Sequence, residues 1–318
     1  MNERDKNHHH HHDHHHGGLG GHTHDMLDYS VLGSERGIRA VKWSFAGLMI
    51  TALLQAFVVI LSGSIALLAD TIHNFGDAAT AIPLGIAFIL AKWKPSKRFT
   101  YGYGRVEDLA GIIIVLIILF SALVAGYESV SRLLHPQKVG HLYAVAAASI
   151  IGFLGNEAVA IFRIKVGKEI GSAALVADGY HARVDGWTSL AVLFGALGVW
   201  LGYPLADPVI GLVITAAILV IVWQAGKQIF IRMLDGVDPA IIDEIEKTAS
   251  RVEGVAEVSD VKARWIGHTL HARFSIGVKS ALSVRDGEEI AREVSHRLRS
   301  NIAHLSDAAI NVVTFRQE

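Results

Sequence analysis

Six long apolar stretches dominate the first three-quarters of the chain, at about 40–61, 66–91, 107–133, 142–164, 173–201 and 206–231. Each is close to the ~20 residues that an α-helix needs to cross a bilayer's hydrocarbon. After Met233 the pattern changes. Residues 239–252 show the period of an amphipathic helix, with Asp238 as N-cap and Pro239 at the first helical position. Residues 255–264 and 269–278 alternate as strands do, around a turn at Gly267. Helical period returns over 284–300, and 309–315 complete a last strand.

The predicted architecture is therefore an α-helical membrane protein with six transmembrane helices, followed by a small α+β layer. Helix, two strands, helix and strand (αββαβ) with short connections describe a ferredoxin-like domain. Three regions are expected: a His-rich, unstructured tail over 1–35, a six-helix transmembrane domain over 36–233, and a small domain over 234–318 of a kind that can fold alone and often pairs with a copy of itself.

Composition agrees with a bilayer. The chain is 51% hydrophobic with a mean hydropathy of +0.38. With 29 basic and 30 acidic residues, no net field points to nucleic acid. Cysteine is absent, so any metal must be held by His, Asp, Glu or water. Ten of the eighteen histidines precede Leu27, among Gly and Asp. Asp13 breaks the run and His22 and His24 follow it, so this reads as a native tail able to hold metal weakly. The hydrophilic start has no apolar core, and no cleavable leader is expected. Cations flank alternate ends of the spans: Arg36, Arg39 and Lys42; Lys92 to Arg105; Arg163, Lys165 and Lys168; Lys227 and Arg232. The positive-inside rule puts both termini in the cytoplasm, of a bacterial inner membrane.

One pattern appears twice inside the apolar stretches, S-x-A-L-x-A-D-x-x-H-x-x-x-D. The first copy carries Asp70, His73 and Asp77, the second Asp178, His181 and Asp185. At ~3.6 residues per turn each His and the following Asp share a helix face, with the first Asp a turn earlier. A carboxylate at mid-bilayer costs ~2.5–3.5 kcal/mol on insertion scales, so four of them require a use. Helix-to-helix glue is usually Ser, Thr, Asn or Gln. Two imidazoles and two carboxylates on facing helices instead suit Zn²⁺ in tetrahedral N₂O₂ geometry. His73, Asp77, His181 and Asp185 are the expected ligands. Asp70 and Asp178 are expected to orient them or to line the path, with Asn74 beside the site as a neutral ligand or hydrogen-bond partner. Arg183 should point elsewhere, into an ion pair with Glu157 or Asp178. His268 and His271 are read as surface or interface residues, His135, His141, His296 and His304 as solvated.

These residues carry a resemblance. The second-span A-L-L-A-D-x-x-H-x-x-x-D, R-F-T-Y-G-Y-G-R-V-E at 98–107, the fifth-span A-D-x-x-H-x-x-x-D and R-W-I-G-H-T-L-H-A at 264–272 resemble the cation diffusion facilitator family, of the zinc-transporting type. The resemblance implies a homodimer and proton-coupled export of divalent metal from the cytoplasm, and maps the transport site onto the same four residues. It implies a hinge contact between Arg105 and Asp235, joining membrane and soluble parts. Family members with metal in the terminal domain have ligands where this chain has Ser259, Ser275, Glu288, Asn311 and Val313, so no such cluster is expected here. Nor is a metal site expected in the loop around Phe99–Tyr103. The runner-up readings are a broader exporter of Zn²⁺, Co²⁺, Cd²⁺, Ni²⁺ or Fe²⁺, an intramembrane metal hydrolase, and a metal receptor. H-E-x-x-H is absent, which argues against the hydrolase.

Overall fold

The computed structural model describes residues 23–62, 71, 75, 78, 81–134, 142–203 and 205–315, with side chains from residue 31 onward. Among the described residues six helices come first: α1 (Thr23–Ser62), α2 (Ala81–Ala91), α3 (Arg105–Leu134), α4 (Leu142–Ile170), α5 (Ala173–Trp200) and α6 (Ala206–Met233). Within them Val31–Leu61, Arg105–Leu134, Leu142–Ile170 and Ala206–Met233 are long and apolar enough to cross a membrane. α5 is equally long but carries Asp178, His181, Arg183 and Asp185 in its first half. α2 is the described end of the second span. Leu116, Phe120 and Leu123 on α3 and Val213, Val220 and Trp223 on α6 point outward, a coat suited to hydrocarbon rather than water. α1 begins at Thr23, so residues 23–35, expected in the unstructured tail, are helical instead. Ser34 there is fully buried: the helix continues beyond the apolar span because its inner end packs on the rest of the molecule.

Local chemistry sets the junctions. α4 ends at Gly171 (φ 75°), where the Ser172 N–H donates to Gly167 O at 2.8 Å, closing the last turn as a left-handed C-terminal residue does. Ser172 then caps α5, its hydroxyl accepting from the Leu175 N–H at 3.0 Å. A two-residue link of this kind forces α4 and α5 into an antiparallel pair. The pair is close: a Cβ on Gly179 would lie 2.9 Å from Ile164 N, and one on Gly167 2.9 Å from Val176 N. Small residues that let backbones approach are the usual cement between membrane helices.

The C-terminal part follows the expected order: α7 (Pro239–Ser250), β1 (Glu257–Ile266), β2 (Thr269–Lys279), α8 (Val284–Asn301) and β3 (Leu305–Phe315). The sheet order is β1-β2-β3, with β1 antiparallel and β3 parallel to β2. Asp238 caps α7, and Ser283 and Asp286 form a capping box on α8. Ile245, Phe274, Ile276, Val294 and Leu298 fill the core between sheet and helices. β3 starts at Leu305 rather than 309, because Leu305 and Ser306 are buried at the start of the pairing with β2 although Ser306 and Asp307 blur the apolar alternation. Ser259 pairs with Ser275, and Ser275 with Asn311, so three of the positions named by the resemblance stand side by side on adjacent strands. Ser275 and Asn311 line a cavity with Asp260, Lys262, Arg273 and Phe274, where the two cations outnumber the one carboxylate.

Candidate metal site and the junction with the C-terminal domain

Half of the expected site lies on α5. Asp178, His181 and Asp185 fall within about 60° of one another around the helix, at ~100° per residue. All three are buried. His181 Nδ1 lies 3.7 Å from Asp185 Oδ2, so an imidazole and a carboxylate stand beside each other one turn apart. Asp70, His73, Asn74 and Asp77 lie outside the described residues, as do His135, His141 and the histidines of the tail up to residue 22. Two of their neighbours are described. Ala78, next to Asp77, is fully buried in one cluster with Leu48 of α1, Val159 and Ala160 of α4, and Ala182 of α5, next to His181. Among the described residues no three His, Asp or Glu side chains gather as a complete metal set.

Around this pair the sequence missed two residues. Asn156 of α4 is buried beside Gly186, whose Cβ would sit 3.4 Å from the Asn156 Cβ. An amide is thus placed against the turn of α5 that carries Asp185. Arg163, grouped by sequence with loop cations, is instead fully buried inside α4, because that helix runs on to Ile170. Its Nη1 meets Asp178 Oδ2 at 3.0 Å. Of the two partners expected for Arg183, the structure shows Glu157, at 2.8 Å from Nη2 and 3.2 Å from Nε. Asp178 belongs to Arg163.

A second polar cluster lies where the two parts of the chain meet. The β1–β2 turn, with Gly267 at φ 59°, pushes in among the inner ends of the helices. His268 Nδ1 sits 2.7 Å from Glu107 Oε2, and the Gly267 N–H donates to Asp108 Oδ2 at 3.2 Å. Both carboxylates occupy the first turn of α3, where the helix dipole favours negative charge. Arg232, at the end of α6, donates to Gly171 O at 2.8 Å and Gly267 O at 3.4 Å, and stacks 4.2 Å above the Trp265 ring. Arg105 pairs with Asp235, and Arg264 approaches that carboxylate at 3.9 Å. His268, read as surface or interface, is thus buried at a junction within the chain, against Phe88 and Gly33. His304, read as solvated, packs on Trp265 and Gly171. Both readings failed because β2 and the loop before β3 dock on helices distant in sequence.

Burial lowers the His304 pKa from its ordinary 6.5, and the nearby His268 and Arg232 push it the same way. Burial likewise lowers that of His271, with Arg264 adding and Asp307 opposing. A depressed folded-state pKa means the unfolded chain takes up its proton first. The associated stability is complete above about 6.5 and is lost as pH falls towards the folded value. His304→Asn, a residue that tolerates the local φ of 66°, should flatten the loss of thermal stability between pH 7.5 and 5. A slope equal to that of the parent chain would contradict this assignment.

The arrangement can be placed among known proteins. Residues 41–230 match the model described as the cation efflux transmembrane domain, and residues 237–312 the one for the cation efflux protein, cytoplasmic domain. The chain belongs to the cation efflux family. It is 51% identical over 293 residues to a probable cation efflux system protein of Mycobacterium tuberculosis, covering 91% of this chain and 88% of that one. An uncharacterized transporter of Methanocaldococcus jannaschii is 28% identical over 81% of this chain and 91% of its own. The manganese efflux system protein MneS of Bacillus subtilis is 23% identical over 82% and 90%. This cation efflux protein is therefore a multi-pass membrane transporter that exports divalent metal, and not an enzyme.

Proposed function

We propose that this exporter carries Zn²⁺ out of the cytoplasm in exchange for protons, through a site made by His73, Asp77, His181 and Asp185. The observation that carries the proposal is the buried His181–Asp185 pair at 3.7 Å, on the second copy of a motif whose first copy supplies the same residue types. The cluster shared by Ala78 and Ala182 supports bringing the two copies together. Two neutral imidazoles and two ionised carboxylates match the preference of Zn²⁺ for four-coordinate nitrogen and oxygen. Loading such a site displaces protons, and protons arriving from outside compete the ion away. Imidazoles, which can bind and release a proton as well as a metal, are the groups suited to carry them.

Within the same proposal, residues 36–233 form the transport unit and 234–318 a cytoplasmic unit that makes a homodimer. Both termini face the cytoplasm of a bacterial inner membrane, and Arg105–Asp235 acts as the hinge contact between the two units. A wider ion range is the second reading, favoured by the manganese efflux named for the B. subtilis relative.

Flux of Zn²⁺, Mn²⁺, Co²⁺, Cd²⁺ and Ni²⁺ into liposomes, with and without a pH gradient, tests both. Zinc should lead the series, and a proton gradient should accelerate its movement. Zinc flux indifferent to the gradient would remove the antiport. His73→Asp should raise Cd²⁺ or Mn²⁺ relative to Zn²⁺, and an unaltered profile would count against selection by imidazole.

A further inference from the structure

Three potential ligands lie along the same stripe of α5, but the proposed site uses only His181 and Asp185. Asp178 is one turn towards the inner end of the helix. A carboxylate there is close enough in sequence to add oxygen to the coordination of an ion at His181, unless something holds it elsewhere. Arg163 does. Its Nη1 is 3.0 Å from Asp178 Oδ2 and 3.5 Å from the Asp178 carbonyl oxygen. Both side chains are essentially without solvent contact, at 1% and 0% exposed. The guanidinium cannot swing to water. It leaves α4 where that helix presses on Gly179, whose Cβ would lie 3.1 Å from the Arg163 Cβ. A fixed positive charge beside Asp178 also repels a divalent cation from that carboxylate.

We propose that Arg163 is a specificity-determining residue: by sequestering Asp178 it keeps the transport site at two imidazoles and two carboxylates. The inference rests on the His73, Asp77, His181 and Asp185 site proposed above. A tetrahedral ion such as Zn²⁺ loses nothing by the arrangement. A harder ion such as Mn²⁺ prefers more oxygen ligands, up to octahedral, and is denied the next carboxylate. The buried pair thus favours zinc by withholding a ligand.

The test is the ratio of Mn²⁺ to Zn²⁺ flux in liposomes for the full chain. The variants are Arg163→Gln, the double Arg163→Gln/Asp178→Asn, and Asp185→Ala, each checked for a monodisperse preparation. Arg163→Gln frees Asp178 and should raise the ratio by about tenfold, the lower end of what outer-sphere changes at metal sites produce. The double variant has neither buried charge and should return the ratio to that of the parent. A parent-like ratio in folded Arg163→Gln overturns the proposal. Should Arg163→Gln fail to fold, the double variant decides. Parent-like zinc flux and ratio support a sequestered Asp178, whereas a zinc loss as deep as that of Asp185→Ala makes Asp178 a ligand and overturns it. Undiminished zinc flux in Asp185→Ala would instead bring down the site on which the inference stands.

Discussion

Liposomes holding the Asp185→Ala chain are expected to take up zinc no faster than protein-free liposomes, while the protein remains folded and of unchanged size in detergent. Asp185 is buried on α5, 3.7 Å from the His181 imidazole, and in the proposed site it would supply one of two negative charges that offset a divalent ion. Changes to residues that merely support metal ligands cost ~10–100-fold. Loss of a charged ligand should exceed the upper end of that range. Size and melting temperature are read beside the flux, so that loss of a ligand is told apart from loss of the fold. Zinc transport at the parent rate would refute the site, and an unfolded product would show that Asp185 has a structural duty.

Gly267→Val should separate the cytoplasmic unit from the helices. The residue sits at φ 59°, a left-handed conformation that costs a side-chain-bearing residue ~1–2 kcal/mol, more for a β-branched one. Its Cβ would come within 2.6 Å of Gly104 O and 2.9 Å of Glu107 Oε2, and neither backbone nor buried carboxylate can yield. Relieving the clash means withdrawing the turn, which also gives up His268–Glu107, the Gly267 bond to Asp108 and the Arg232 bond to Gly267 O. Limited proteolysis should then cut near Asp235 to Asp238 well before it does in the parent chain, with a lower melting temperature. Equal protease resistance in the two would mean that the turn does not hold the units together.

The sequence makes some of this plain and hides the rest, for physical reasons. Helix period alone aligned Asp178, His181 and Asp185, and binary alternation plus the cap at Asp238 outlined the C-terminal fold. What escaped were interactions whose partners are far apart along the chain. His268 and Glu107 are 161 positions apart, and nothing local to a turn histidine reveals a buried carboxylate. Arg163 was hidden by a boundary: α4 continues past the apolar run to Ile170, which turns a supposed loop cation into an interior one. Asn156 has no local mark at all, since an amide in an apolar span reads as ordinary interhelical glue.

The link of Gly171 and Ser172, together with the cross-ties Arg163–Asp178 and Arg183–Glu157, has a mechanical consequence. Tied at two levels and joined at one end, α4 and α5 resist sliding past each other and are suited to move as a single lever. In the exchange proposed above, the motion that shows the ion first to one side of the bilayer and then to the other would be taken up where this lever bears on its neighbours. His181 and Asp185, mounted on it, would then keep their mutual spacing through the cycle.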